Sequence, residues 1–167
     1  DLILFVNTEL IQFETHLTVH PTNGNSINEF IEFCSQSGGK ALLIELPQGD
    51  FSKQLMMSKY FISNNLESVL NDISKYTEKT QEKGFEVNRV KIEVDAEFSF
   101  HFEITNEDTY FEWHCKIEII DFETISQICS LHNAHLSKNS LKGDNNLRFI
   151  TLREFGDKNE FETRIKD

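Results

Sequence analysis

Two segments of this chain repeat one another. Phe13-Glu14-Thr15-His16-Leu17-Thr18-Val19 and Phe111-Glu112-Trp113-His114-Cys115-Lys116-Ile117 each set Phe first, Glu second, His fourth and an apolar residue last. They lie 98 residues apart in a chain of 167, which points to an internal duplication. Both alternate as strands do, so one face is apolar and the other carries Glu, His and then Thr or Lys. A chain built this way has to place the same half-buried strand twice.

The likeness continues past the strands. Ser26 to Ser35 carries Ile27, Phe30, Ile31, Phe33 and Cys34 at helical spacing, with Ser26 and Glu29 as a capping box and Gly38-Gly39 as the stop. Asp121 to Ser130 answers it, with Asp121 as cap, Phe122, Ile125, Ile128 and Cys129 as the stripe, and the Cys-Ser pair again. Ala41 to Leu46 then reads as a strand, Pro47-Gln48-Gly49-Asp50 as a turn and Leu55 to Ile62 as another strand. A helix follows from about Asn64 to Lys83, with Leu66, Val69, Leu70, Ile73 and Tyr76 inward and Gly84 at its end. In the second half Ala134 to Ser137 and Leu147 to Arg153 read as strands around a loop at 142–146. A helix starts after Gly156-Asp157 with Phe161 and Ile165 inward.

This order predicts an α+β fold of two tandem ferredoxin-like βαββαβ lobes with antiparallel sheets. The first lobe spans 1–104 and includes an N-terminal strand at Leu2 to Val6. The second spans 105–167 and ends before its last strand. Between them, Val90, Ile92, Val94, Ala96, Phe98, Phe100, Phe102 and Ile104 share one face. Thr105-Asn106-Glu107-Asp108-Thr109 then turns the chain into the repeated strand. That regular period of two predicts a long β-hairpin joining the lobes.

Composition limits what such lobes can do. The net charge of −12 excludes bulk binding to nucleic acid or to an anionic membrane, since both need a basic surface. The apolar runs are too short to span a bilayer, and Leu2 to Val6 lacks the basic flank of a signal peptide. Cys34, Cys115 and Cys129 are odd in number and lack CxxC spacing, so a disulfide framework and a zinc ribbon are not expected and a reducing cytoplasm is. Phosphate loops, dinucleotide fingerprints, HExxH and Gly-x-Ser-x-Gly are absent from the sequence.

The residues left for chemistry are Glu14, His16 and Thr18 on one strand, and Glu112, His114 and Lys116 on the other. If the two polar faces met, one His would take a proton from an attacking oxygen and the other would protonate a leaving oxygen. Thr18 and Lys116 would hold phosphate oxygens, with Glu14 and Glu112 beside them. The same alternation also suits a solvated sheet face. Glu14 and Glu112 would then be cross-strand partners of lysines, Cys34, Cys129, Met56 and Met57 core, and His132 and His135 the flanks of a helix end.

His16-Leu17-Thr18-Val19 resembles the H-x-[ST]-hydrophobic motif of the two-histidine (2H) phosphoesterases. The resemblance implies pseudo-symmetric lobes, cyclic nucleotide phosphates or RNA termini as substrates, and His16 and His114 as the catalytic pair. His114-Cys115-Lys116-Ile117 departs from the motif, with Lys where that family has Ser or Thr. Glu112-x-His114-x-Lys116 also resembles the ExExK strand of the triphosphate tunnel (CYTH-like) enzymes, which would make Glu93, Asp95, Glu97 and Glu103 an acidic wall. The expectation is therefore a small domain binding or cleaving a phosphoester without metal or other cofactor. The alternative is a non-catalytic module for a small anionic ligand or a protein partner.

Overall fold

The computed structural model describes residues 9–20, 26–47, 52–101, 109–143 and 146–166. The strand expected at Leu2 to Val6 lies outside them, as do most of the Pro47–Asp50 turn and residues 102–108. In chain order the elements are β1 (Ile11–His20), α1 (Ile27–Gln36), β2 (Lys40–Glu45), β3 (Lys53–Ser63), α2 (Leu66–Glu82) and β4 (Glu86–Val94). After them come β5 (Phe111–Glu118), α3 (Phe122–Leu131), β6 (Ala134–Asn139), β7 (Leu147–Glu154) and α4 (Lys158–Lys166). Among the described residues seven strands and four α-helices make an α+β fold, and the paired strands run antiparallel. They divide into two compact units, residues 1–41 with 55–100 and residues 42–54 with 101–167.

In the first unit β1 is the central strand, paired with β3 on one side and β4 on the other. Its alternation dictates this position: Phe13, Thr15, Leu17 and Val19 are each 2% exposed or less, so one face is pure core. Phe30 and Phe33 of α1 pack on Phe85, with ring centroids 5.0 and 6.3 Å away. The capping box forms as the sequence predicts, Glu29 N–H donating to Ser26 Oγ at 3.2 Å and Ser26 N–H to Glu29 Oε2 at 2.7 Å. The stripe of α1 is narrower than expected. Phe30, Phe33 and Cys34 are buried, whereas Ile27 and Ile31 stay 42% and 36% exposed, because the larger aromatic pair sets which way the helix faces. On α2, Val69 and Ile73 are buried but Leu70 is 48% exposed.

In the second unit β7 lies between β5 and β6, and β6 also pairs with β2 through Ile44 and Glu45. Asp121 caps α3, accepting from the backbone N–H of Glu123 and Thr124 and from the Thr124 hydroxyl at 2.6 Å. That hydroxyl holds the Asp121 carboxyl below its usual range. Phe161 of α4 stacks on Phe111, centroids 5.2 Å apart. Phe122 and Ile128 of α3 are about half exposed, leaving Cys129 as its buried residue.

The expected strand ends early: β4 stops at Val94 and Ala96–His101 is a 3-10 helix, while 102–104 lie outside the described residues. Asp95 is the reason. Its carboxylate accepts from Glu97 N–H at 2.9 Å and its carbonyl from Phe98 N–H at 2.9 Å, so local bonds replace the ladder. The hydrogen-bonded partners are β1 for β4 and β7 for β5.

Candidate functional site

The core face of β1 fixes where its other face points. Glu14, His16 and Thr18 alternate with the buried residues, and each is flanked by a residue from β3 and one from β4. Tyr60 and Glu93 lie opposite Glu14, Ser58 and Lys91 opposite His16, and Met56 and Arg89 opposite Thr18. The ladder slips between Thr18 and Val19, where the β4 partners step from Arg89 to Val87.

Glu14 is held by two hydroxyls. Ser58 donates to its Oε1 at 2.6 Å and Tyr60 to its Oε2 at 2.9 Å, and the bond to Glu14 raises the Tyr60 phenol above its ordinary range. His16 Nε2 lies 3.3 Å from Glu93 Oε1 and 3.7 Å from Glu14 Oε1. Lys91 Nζ reaches the same Glu93 oxygen at 2.5 Å. Burial pushes the Glu93 carboxyl up, but His16 and Lys91 together outweigh it and hold the group at about 2. Among the described residues His16 Nδ1 is buried without a hydrogen-bond partner. Thr18, expected to hold a phosphate oxygen, is only 7% exposed.

The second strand is furnished in the same way by different residues. Arg153 lies opposite Glu112, Thr151 opposite His114 and Phe149 opposite Lys116. Glu112, its side chain 7% exposed, accepts from Arg153 Nε through Oε2 at 2.6 Å and faces His114 Nε2 through Oε1 at 2.7 Å. The other ring nitrogen, Nδ1, lies 3.0 Å from Thr151 Oγ1. Glu112, His114 and Thr151 thus form a continuous chain able to pass a proton, with a carboxylate orienting the ring. Lys116 is exposed, and Arg153 lies over the Tyr110 ring at 5.2 Å.

Each unit therefore brings Glu and His of one strand together with a hydroxyl directly across from the His: Ser58 in one, Thr151 in the other. His16 belongs to the first unit and His114 to the second. Sequence reasoning named the Glu and His residues but missed Ser58, Tyr60, Lys91, Thr151 and Arg153. Their signal was weak: single polar residues alternating along β3, β4 and β7, whose alignment with β1 and β5 depends on long-range register. Glu93, expected as part of an acidic wall, is a direct neighbour of His16.

Surface recesses are found elsewhere, one beside Ser126 and Ser130 of α3, another between His132, Leu152 and Arg164. Among the described residues no helix is long and apolar enough to cross a membrane. No family model matches the chain, and no curated protein matches it in sequence.

Proposed function

We propose that this chain is a binding module built from two tandem ferredoxin-like lobes, with a small phosphorylated or otherwise anionic molecule as its ligand. The observation that carries this reading is the repeated constellation: His16 opposite Ser58 with Glu14 opposite Tyr60, and His114 opposite Thr151 with Glu112 opposite Arg153. Strand order supports the duplication. The first unit runs β4-β1-β3 and the second β5-β7-β6, which are the fourth-first-third and first-third-second stretches of one ferredoxin-like sheet.

Binding is favoured over turnover by the ring nitrogens. An acid-base histidine needs one nitrogen within hydrogen-bond reach of substrate. Here both Nε2 atoms face carboxylates, while Nδ1 is buried in His16 and lies against Thr151 in His114. The exposed cation for an anion is Lys116, two residues from His114 on one face of β5. A metal-independent phosphoesterase of two-histidine type is the second reading, favoured by the Glu112–His114–Thr151 chain. A cytoplasmic setting accords with three free cysteines, and the acidic charge with a ligand smaller than nucleic acid.

Calorimetry with cyclic nucleotide phosphates and with inorganic phosphate, alongside a hydrolysis assay, tests both readings. Binding without turnover, weakened in Lys116→Ala, is the expected result. Turnover abolished by both His16→Ala and His114→Ala establishes the second reading instead. Neither binding nor turnover sinks both.

A further inference from the structure

We propose that Glu14, His16 and Glu93 bind one divalent transition-metal ion, with zinc the best match, on the polar face of β1 and β4. The proposal goes beyond the reading above. It lies in the first unit alone and requires no anionic ligand.

The donor atoms are already gathered. One nitrogen of His16 and one oxygen from each carboxylate lie within 4.8 Å of one another. Zinc binds imidazole nitrogen and carboxylate oxygen at about 2.0–2.2 Å, so two ligand atoms on a tetrahedral ion sit about 3.3–3.6 Å apart. His16 Nε2 is 3.3 Å from Glu93 and 3.7 Å from Glu14, close to that edge length. A charge-assisted hydrogen bond would be shorter, about 2.7–2.9 Å. The equivalent contact in the second unit, His114 to Glu112, is such a bond at 2.7 Å. The same strand pattern thus brings Glu and His to 2.7 Å in one unit and leaves them 3.7 Å apart in the other.

Register supplies an independent reason. Glu14 and Glu93 stand directly opposite each other on β1 and β4, where like charges repel and a cation between them is favourable. Lys91 meets this need at Glu93. Glu14 takes hydrogen bonds from the hydroxyls of Ser58 and Tyr60, the outer contacts that orient a ligating carboxylate. One imidazole with two carboxylates and no thiolate suits zinc, cobalt or manganese and leaves a fourth position for water. Among the described residues His16 Nδ1 lacks the outer partner that usually supports a ligating histidine, so the affinity belongs in the micromolar range rather than below it.

Calorimetric titration of the full chain with Zn2+ alone tests the site. One ion per chain is expected, weakened about tenfold or more in His16→Ala and Glu93→Gln, and unchanged in His135→Ala on the second unit. Lys91→Gln keeps all three donors and removes the competing ammonium, so it should bind more tightly. A donor variant that loses its circular-dichroism spectrum leaves Lys91→Gln to decide. The proposal falls if Zn2+ does not saturate, if His16→Ala binds as wild type does, or if Lys91→Gln gains nothing. Because no phosphate is present, these failures are separate from failure of the anion-binding reading.

Discussion

Arg153 donates through Nε to Glu112 at 2.6 Å, directly across the β5–β7 ladder. The Glu112 side chain is 7% exposed, so its charge has left most of its water and depends on Arg153 and His114 to replace it. Arg153→Leu should therefore cost about 2–4 kcal/mol in urea denaturation, somewhat less than a fully buried pair because the guanidinium keeps partial exposure. The double variant Glu112→Leu/Arg153→Leu should be more stable than Arg153→Leu alone. A double variant weaker than either single one would show that the pair does not act as a unit.

Glu93 predicts a particular acid limb. Its carboxyl sits at about 2 in the folded chain, against 4.5 for the free group. A depressed folded value contributes stability that is complete above about pH 4.5 and drains away as pH falls toward 2. The contribution is on the order of 2–3 kcal/mol at neutral pH, from burial overcome by His16 and Lys91. Urea midpoints measured from pH 6 to pH 2.5 should fall steeply in wild type. The slope should flatten in Glu93→Gln, which starts lower and has less to lose; parallel slopes would exclude this account.

Helix α1 offers a test at each end. Ser26→Ala removes the side-chain half of the capping box and should cost about 1 kcal/mol. Gly38 holds a φ of 68°, the left-handed region, and the nearest neighbour to an added Cβ is 3.7 Å away. Gly38→Ala should thus cost about 1 kcal/mol through backbone strain alone, without a clash. Thermal melts of both variants and their double mutant should show near-additive losses, since the two sites share no contact.

Thiol reactivity should follow burial. Cys34 is fully buried and its thiol is pushed up to about 12, and burial also raises Cys129. Cys115 is only half-buried. In native protein an aromatic disulfide reagent should consume one thiol equivalent quickly, and Cys115→Ser should remove that phase. Fast loss of two or three equivalents would contradict the packing around α1 and α3.

The helices were legible because their signals are local. Ser26 and Glu29, or Asp121 alone, define a start within four residues, and the structure keeps those starts. The strand faces of β1 were legible for the same reason, since alternation is read residue by residue. Asp95 was harder, because the pattern of apolar residues runs on past it while its own side chain bends the backbone away. The partners of His16 and His114 were hardest. Ser58 is 42 residues from His16, and Thr151 is 37 from His114. Only strand register brings each pair side by side, and register depends on the whole sheet.

The position of β1 between two partners makes this strand a place where length matters more than identity. A one-residue deletion at Thr15 would put the two halves of the strand out of phase, so that either Phe13 or Leu17 and Val19 would turn outward and a Glu or His enter the core, against β3 and β4 at once. Any single substitution there disturbs one neighbour on each side. A change of length moves every one of them together, so mutational scanning should find β1 tolerant of many exchanges on its polar face and of no insertion or deletion at all.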